Sequence, residues 1–591
     1  MAWRSRRGVS SSPELERIKA LPRRNWEGTP AVSETVDLLT DYLKTPRGSQ
    51  KLRPFQAQSL NELSEVNGAI VPQSVGGGKS LVTLLAPIVT EAKRPLLMMP
   101  AKLLKKTEHE MQAYALHWRI AWPELLSYER LSRVSPTEQD TGLTLLDEYA
   151  PDLIICDEAH RIKNPKAACT RKVRKYLKKY PHVRFVALSG TLISRSLRDC
   201  AHLCDWALRE SSPLPRSYSV LEEWCSAVDE KTNRAAVTLA PGSLIQLCTP
   251  AEAREGRDGV RKALQRRILD TPGVVATRKD TADDCTASLM IRGHDVPMGE
   301  ATDAAFRRLL TDWETPDGHP IADAPTLWRH QREVAAGFYY RWDPRAPKDW
   351  LLARRDWAGF VRDTLAHSQT LHSENAVALA VSQGKVPDPH GYYEIWKTVR
   401  PTFRPNSVPV WLDSAFWEWV AEWGRKHRGI MFVEHRAIGA MLADKLQVPY
   451  FAQDGRDVTG RHPGIIDHTT PKDGPILASL KSNLEGRNLQ AWDHALVVSP
   501  PTTGRDWEQL LGRLHRSGQR ADEIQYDVII NCYQHQKAMI QSLADARAQE
   551  DTLGALRKLN LADLDLDLDP RAGNNTAWRW RDGAATKRKK I

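Results

Sequence analysis

Two short stretches of this chain combine residue types that can handle a phosphate group. Gly76-Gly77-Gly78-Lys79-Ser80 follows the apolar run Ala69-Ile70-Val71 and precedes Leu81-Val82-Thr83-Leu84-Leu85, which has helical spacing. A strand, a glycine-rich turn and a helix opening on Lys-Ser is the context a phosphate loop requires. Glycines let backbone N–H groups crowd around phosphate oxygens, and the helix N-terminus adds partial positive charge. In this reading Lys79 reaches the β/γ-phosphates and the Ser80 hydroxyl is a ligand for Mg²⁺. Gln73 occupies the first glycine of the strict G-x-x-x-x-G-K-[ST] pattern. The alternative is a glycine-rich turn with no ligand.

The second stretch is Leu153-Ile154-Ile155-Cys156-Asp157-Glu158-Ala159-His160. It sets two acids and a histidine at the end of an apolar strand, where α/β sheets bind ligands. Asp157 can hold Mg²⁺, directly or through water, and Glu158 can polarise the water that attacks a γ-phosphate. An isolated Asp-Glu pair is ordinarily a solvated turn. A pair that follows four apolar residues, downstream of a phosphate loop, is not explained that way.

These residues need a scaffold, and the apolar patterning supplies one. Short apolar runs at 69–72, 95–99, 153–156 and 184–188 each precede a helical pattern. Buried strands alternating with helices predict a parallel sheet and an α/β domain. The pattern returns at 429–433, 476–479, 495–498 and 526–530. Between the two, helical spacing dominates and tryptophan is dense, with ten of the 20 tryptophans between Trp313 and Trp423. Core packing is the ordinary role of such residues, and stacking on exposed bases is the alternative. The expected division is an N-terminal extension (1–48), a first lobe (49–210), a helical region (211–425), a second lobe (426–545) and a linker with a basic tail (546–591). The Leu/Asp alternation at 562–569 has the period of a strand, but like charges on one face favour a solvated linker. The tail from Arg571 interleaves basic and aromatic residues, which suits nucleic acid or a solubilising tail.

The chain has 591 residues, 84 basic against 73 acidic, a net charge of +11. That balance fits an anionic partner or simply a basic surface. No stretch of about 18 apolar residues occurs, so no membrane span is expected, and the opening residues lack the apolar run of a secretory signal. The eight cysteines form no C-x-x-C pair, which predicts buried thiols in a reducing compartment rather than a zinc site.

With these residues in place, Asp157-Glu158-Ala159-His160-Arg161-Ile162-Lys163-Asn164 resembles motif II of superfamily 2 helicases, and its continuation resembles the Swi/Snf-like family. Leu52-Arg53-Pro54-Phe55-Gln56 is similar to the family's Q motif, which implies that Gln56 reads the adenine. Residues 99–104 resemble motif Ia and Ser127-Tyr128-Glu129 part of Ib. Leu188-Ser189-Gly190-Thr191 resembles motif III, residues 430–433 motif IV, Glu485-Gly486-Arg487-Asn488-Leu489-Gln490 motif V, and 509–519 motif VI. The resemblance spans residues 50–540 in the family's motif order. It departs at Leu192, where motif III has proline, and at Ser482-Asn483-Leu484, ahead of motif V.

The resemblance implies two RecA-like parallel-sheet lobes with the helical, Trp-rich region between them. It implies an ATP hydrolase using Mg²⁺, held by Ser80 and Asp157, with Glu158, Gln509, Arg513 and Arg516 in catalysis. Gln56, Gly76, Gly77, Gly78, Lys79, Ser80, His160 and Gly486 would bind nucleotide, and Ser189, Gly190, Thr191 and Asn488 would couple hydrolysis to nucleic acid. Arg513 and Arg516 lie three apart on a predicted helix, so they should project from one face, and arginine can grip phosphate oxygens bidentately. The implied function is that of a monomeric motor translocating on duplex or branched DNA. An RNA helicase and an ATP-switched DNA-binding scaffold are the alternatives. The implied location is the cytoplasm of a bacterium or phage host, or the nucleus in a eukaryote.

Overall fold

The computed structural model describes residues 8–26, 29–73, 78–190, 196–229, 239–276, 285–368, 371, 373–404, 406–553 and 557–569. Gly76, Gly77, Thr191 and the basic tail, on which expectations were placed, lie outside the described residues. The fold is α/β, organised in two compact units.

The first unit comprises residues 1–286 with 503–519 and 542–561. Its sheet has five strands, β1 (Ala69–Pro72), β2 (Pro95–Met99), β3 (Glu124–Ser127), β4 (Leu153–Asp157) and β5 (Arg184–Ser189), in the order β1-β5-β4-β2-β3. Every pairing is parallel. Successive side chains alternate between faces. Ile154 and Cys156 of β4 enter one core with Leu96, Met98, Phe185 and Ala187. Leu153 and Ile155 enter the other with Leu97, Met99, Val186 and Leu188. Two covered faces explain why these strands read as unbroken apolar runs. The edge strand β3 was not predicted: in Glu-Leu-Leu-Ser only Leu126 is a fully buried apolar residue.

The second unit comprises residues 287–502, 520–541 and 562–591. Its strands are β6 (Ser288–His294), β7 (Phe338–Asp343), β8 (Asn406–Trp411), β9 (Ile430–Val433), β10 (Tyr450–Phe451), β11 (Ile476–Ser479), β12 (His494–Val497), β13 (Glu523–Ile529) and β14 (Asp563–Asp565). Seven form a parallel sheet in the order β10-β11-β9-β12-β13-β6-β14, while β7 and β8 make a separate antiparallel ribbon. The segment 211–425 is therefore divided: its first part belongs to the first unit, and β6 joins the second unit's sheet. The Leu/Asp run was expected to be a linker, yet β14 pairs with β6. Its residues are exposed, and Arg292 Nε lies 3.5 Å from Asp565 Oδ2, which offsets part of the repulsion.

None of the ten tryptophans between Trp313 and Trp423 is exposed. Trp350, Trp357 and Trp396 form the core of a helical module with Val361 and Val377. All eight cysteines are free thiols, six of them buried. No helix among the described residues is long and apolar enough to cross a membrane.

One buried carboxylate ties three strands to a helix in the second unit. Asp527 on β13 is 1% exposed and accepts four side-chain hydrogen bonds. The donors are His294 Nε2 of β6 (2.9 Å), His494 Nε2 of β12 (2.9 Å), Gln525 Nε2 (2.9 Å) and Trp423 Nε1 (2.7 Å) on the helix Ala415–His427. Burial alone would raise its pKa, but the four donors outweigh burial and hold it well below the usual carboxylate range. A depressed folded-state pKa stabilises the fold above the unfolded-chain pKa, and this is lost as pH falls towards the folded value. Asp527→Asn should therefore lower the unfolding free energy at pH 7 by roughly 2–4 kcal/mol, since an amide cannot satisfy four donors. In urea titrations the gap between wild type and variant should narrow as pH drops below about 4.

Candidate functional site

The helix Lys79–Val89 begins after Gly78, which caps it with φ of 83°. Left-handed backbone of this kind favours glycine. A second constraint acts on the same residue: a Cβ there would lie 2.9 Å from Gln56 Nε2. That amide donates to the Gly78 carbonyl at 3.0 Å, while Gln56 Oε1 accepts the Arg53 N–H at 2.9 Å. Gln56 thus fixes the start of the Lys79 helix to the start of its own helix, Pro54–Val66. Lys79 is buried, with Nζ 3.4 Å from the Gln73 carbonyl. Ser80 follows in the first helical turn.

The sheet order puts β5, which ends in Ser189, between β1 and the carboxylate-bearing β4. Asp157 ends β4, and Glu158 turns the chain with φ 54° and ψ 48°. For a non-glycine residue this conformation costs on the order of 1–3 kcal/mol, and such strain concentrates at functional sites. Side-chain contacts hold the turn. Asp157 Oδ1 accepts the Glu158 N–H at 3.0 Å, and the Tyr128 hydroxyl donates to the Asp157 carbonyl at 2.7 Å. His160 Nδ1 lies 3.2 Å from Glu158 Oε2 and 3.0 Å from Ser189 Oγ, and the Ser189 hydroxyl is itself 3.4 Å from Glu158 Oε2. His160, expected among the nucleotide-binding residues, here links the Glu158 carboxylate to the end of β5.

The two carboxyls titrate in opposite directions. Burial, reinforced by the charge of Glu158, raises Asp157, and Lys79 offsets part of this. Burial also works against Glu158, but the His160 hydrogen bond and the charges of Lys79, His160 and Arg513 outweigh it and hold Glu158 well below the usual range.

Arg513 comes from the helix Gly504–Leu514, which belongs to the first unit although it lies far along the chain. Its guanidinium is held by Gln509, with Nε 2.8 Å from the carbonyl and Nη2 3.0 Å from Oε1. Both side chains are buried. Arg516 departs from expectation. The helix stops at Leu514, and His515 leaves helical geometry at ψ 85°. Arg516 therefore does not share a helical face with Arg513. Arg53 Nη2 donates to Ser517 Oγ at 3.1 Å, so the segment after Leu514 meets the segment that carries Gln56.

Gly486 and Asn488 belong to the second unit. Gly486 has φ of 76°, and the Asn488 N–H donates to Asp467 Oδ1 at 2.7 Å beside an Arg487–Asp467 ion pair. Other contacts were missed by sequence reasoning. Arg557 is buried and donates from Nη1 to the Gly190 carbonyl. Lys558 N–H donates to Glu508 Oε2 at 2.8 Å, and Lys558 Nζ lies 3.1 Å from His515 Nδ1. An Arg-Lys pair after a helix ordinarily marks a solvated end, so no local signal reveals this burial.

The donor set fits a nucleoside triphosphate with Mg²⁺: a helix N-terminus, a buried lysine, a serine hydroxyl and paired carboxyls. Among the described residues no cluster of three or more His, Cys, Asp or Glu side chains could hold a metal. Mg²⁺ bound with phosphates needs only one or two carboxylates.

Gly78→Ala should destabilise the first unit by about 1–2 kcal/mol through its backbone conformation, with a further cost from the Gln56 contact. In a double-mutant cycle with Gln56→Ala the two effects should be non-additive, the cost of Gly78→Ala shrinking once the amide is gone. A scan of the sequence against models of known protein families finds no match.

Proposed function

We propose that this chain is an ATP-dependent motor of superfamily 2, with RecA-like lobes, that couples ATP hydrolysis to movement on duplex or branched DNA. The observation that carries the reading is the placement of Lys79 at a helix start after β1 and of Asp157-Glu158 at the end of β4 in one parallel sheet, with His160 Nδ1 3.2 Å from Glu158 Oε2. ATP with Mg²⁺, when bound, supplies the γ-phosphoryl group and the cation that screens its charge.

The side chains divide the remaining work. Lys79 offers a buried positive charge at the start of a helix whose N–H groups attract phosphate. Glu158 can accept a proton from, or orient, the attacking water. Arg513, fixed by Gln509, can stabilise charge that develops on transfer; in the GTPase template such an arginine is worth about 10³–10⁵ in rate. His160 joins Glu158 to Ser189, and Arg557 holds the next residue, Gly190. That chain of contacts is a physical route by which hydrolysis could be felt at the end of β5. DNA as the track is supported by the resemblance, whose Arg161-Ile162-Lys163-Asn164 continuation argues against the RNA-acting families; the net charge of +11 is compatible with any polyanion. Backbone-directed binding of this kind is salt-sensitive and independent of sequence.

The test is steady-state ATP hydrolysis without polymer and with single-stranded, duplex and forked DNA or RNA. Duplex or forked DNA should stimulate turnover. Lys79→Ala and Glu158→Gln should each abolish it, and Arg513→Ala should lower the rate by about 10³ or more while sparing nucleotide binding. Stimulation by RNA alone would overturn the track. DNA binding without stimulated turnover would favour an ATP-switched scaffold, and a Glu158→Gln protein that hydrolyses as fast as wild type would overturn the assignment of the base.

A further inference from the structure

The helical module of the second unit encloses a cavity of about 600 Å³. It lies among the helices Lys348–His367, Glu374–Ser382 and Tyr392–Val399. Trp350, Trp357 and Trp396 line it and are 5%, 1% and 4% exposed. The Trp350 and Trp396 rings meet edge to face, their centroids 4.9 Å apart, and Trp357 packs against Phe360 and Tyr393. This volume is that of a small-molecule site.

Arg354 sits inside this aromatic box. Its guanidinium carbon lies 5.5 Å, 5.8 Å and 5.7 Å from the ring centroids of Trp342, Trp350 and Trp396. It forms no hydrogen bond or ion pair with a described residue, and its Nε is buried without an acceptor. The indole N–H of Trp396, in the same wall, is also buried without an acceptor. Burial disfavours the Arg354 charge, Glu374 offsets part of that, and Arg400 adds to it. Glu374 is the one carboxylate in the lining, and its Oε1 already accepts the Trp357 indole N–H at 2.8 Å. Lys397, Arg400 and Arg404 stand exposed around the same cavity.

Lys397 is paired with Glu394 at 3.2 Å, so three arginines line an aromatic cavity whose single carboxylate, Glu374, already accepts the Trp357 indole. A neutral apolar ligand would leave the buried guanidinium uncompensated, and a cation would be repelled. A bare inorganic anion would satisfy the arginines but leave the aromatic wall unused. Arginine forks match phosphate oxygens bidentately, and aromatic walls take nucleobases by stacking at about 1–3 kcal/mol per base.

We propose that this cavity binds a nucleoside phosphate, with the phosphate on Arg354, Arg400 and Arg404 and the base against the tryptophan wall and Tyr393. The ligand's source is either a free mononucleotide or the phosphorylated end of a strand. The site is separate from the Lys79–Glu158 cluster and does not rest on the motor reading.

The test is equilibrium binding to the full chain carrying Lys79→Ala, so that the phosphate loop does not contribute. The probes are dAMP, a short single-stranded oligonucleotide with a 5′-phosphate, the same oligonucleotide with a 5′-hydroxyl, and inorganic phosphate. Saturable binding of dAMP or the phosphorylated oligonucleotide is expected, weakened about tenfold or more by Arg354→Met and by the exposed pair Arg400→Ala/Arg404→Ala. Binding by dAMP identifies a free-nucleotide site, and binding by the phosphorylated oligonucleotide alone identifies a strand-end site. If Arg354→Met fails to fold, the exposed pair carries the test. The proposal is overturned if neither nucleotide probe binds, if the variants bind like the parent, or if inorganic phosphate binds as tightly as dAMP. ATP hydrolysis by the otherwise wild-type chain should be unchanged by the exposed-pair variant, so failure here and failure of the motor reading are distinguishable.

Discussion

Burying the Glu158 carboxylate at the end of β4 is the constraint on which the first unit depends. Desolvating a charge costs several kcal/mol unless partners replace water, and no one segment of chain supplies them all. Lys79 comes from the helix after β1, His160 from the turn after β4, and Arg513 from a helix beyond the second sheet's β12. The parallel sheet, with β5 between β1 and β4, brings the first two to one edge. The third is fixed in turn by Gln509. His160 is itself restrained by Ser189, so the Glu158 side chain has a fixed neighbour.

The second unit uses the same physics in two contrasting ways. Asp527 is a buried charge with all its needs met by four donors, and its effect is to hold strands β6, β12 and β13 in register against a helix. Arg354 is a largely buried charge met only by aromatic faces. Cation–π contacts are worth about 0.5–2 kcal/mol, well below what an ion pair with hydrogen bonds would return to a desolvated guanidinium. A satisfied charge reads as architecture, and a charge left with donors to spare, facing a cavity, reads as recognition.

Much of the scaffold was legible beforehand. Strands β1, β2, β4 and β5 were readable because both faces are covered, so their central residues are apolar and the run stands out. The same holds for β9, β11 and β12. What escaped were strands at edges or in mixed surroundings: β3, β6, the β7–β8 ribbon, β10 and β14. There one face meets solvent or another polar group, and Arg292, His294 and the aspartates of β14 dilute the signal. The Leu/Asp run shows the limit in detail: its period was right for a strand, and like-charge repulsion was overvalued because Arg292 lies across from it. The reach of a helical pattern was overestimated too, since three-residue spacing put Arg513 and Arg516 on one face and the helix ends between them.

The sequence by itself determined the local chemistry: a glycine before Lys79, a carboxylate pair after an apolar strand, an arginine on a predicted helix. Each follows from short-range rules, namely backbone freedom at glycine, the period of a buried strand and the turn of a helix. Only the tertiary structure decided which of these residues act on one another. That His160 joins Glu158 to Ser189, that Arg557 is buried against Gly190, and that Arg354 has tryptophan faces rather than a carboxylate are outcomes of packing between distant segments. Electrostatics falls off with distance in space, not along the chain, so no pattern along the chain could have supplied them.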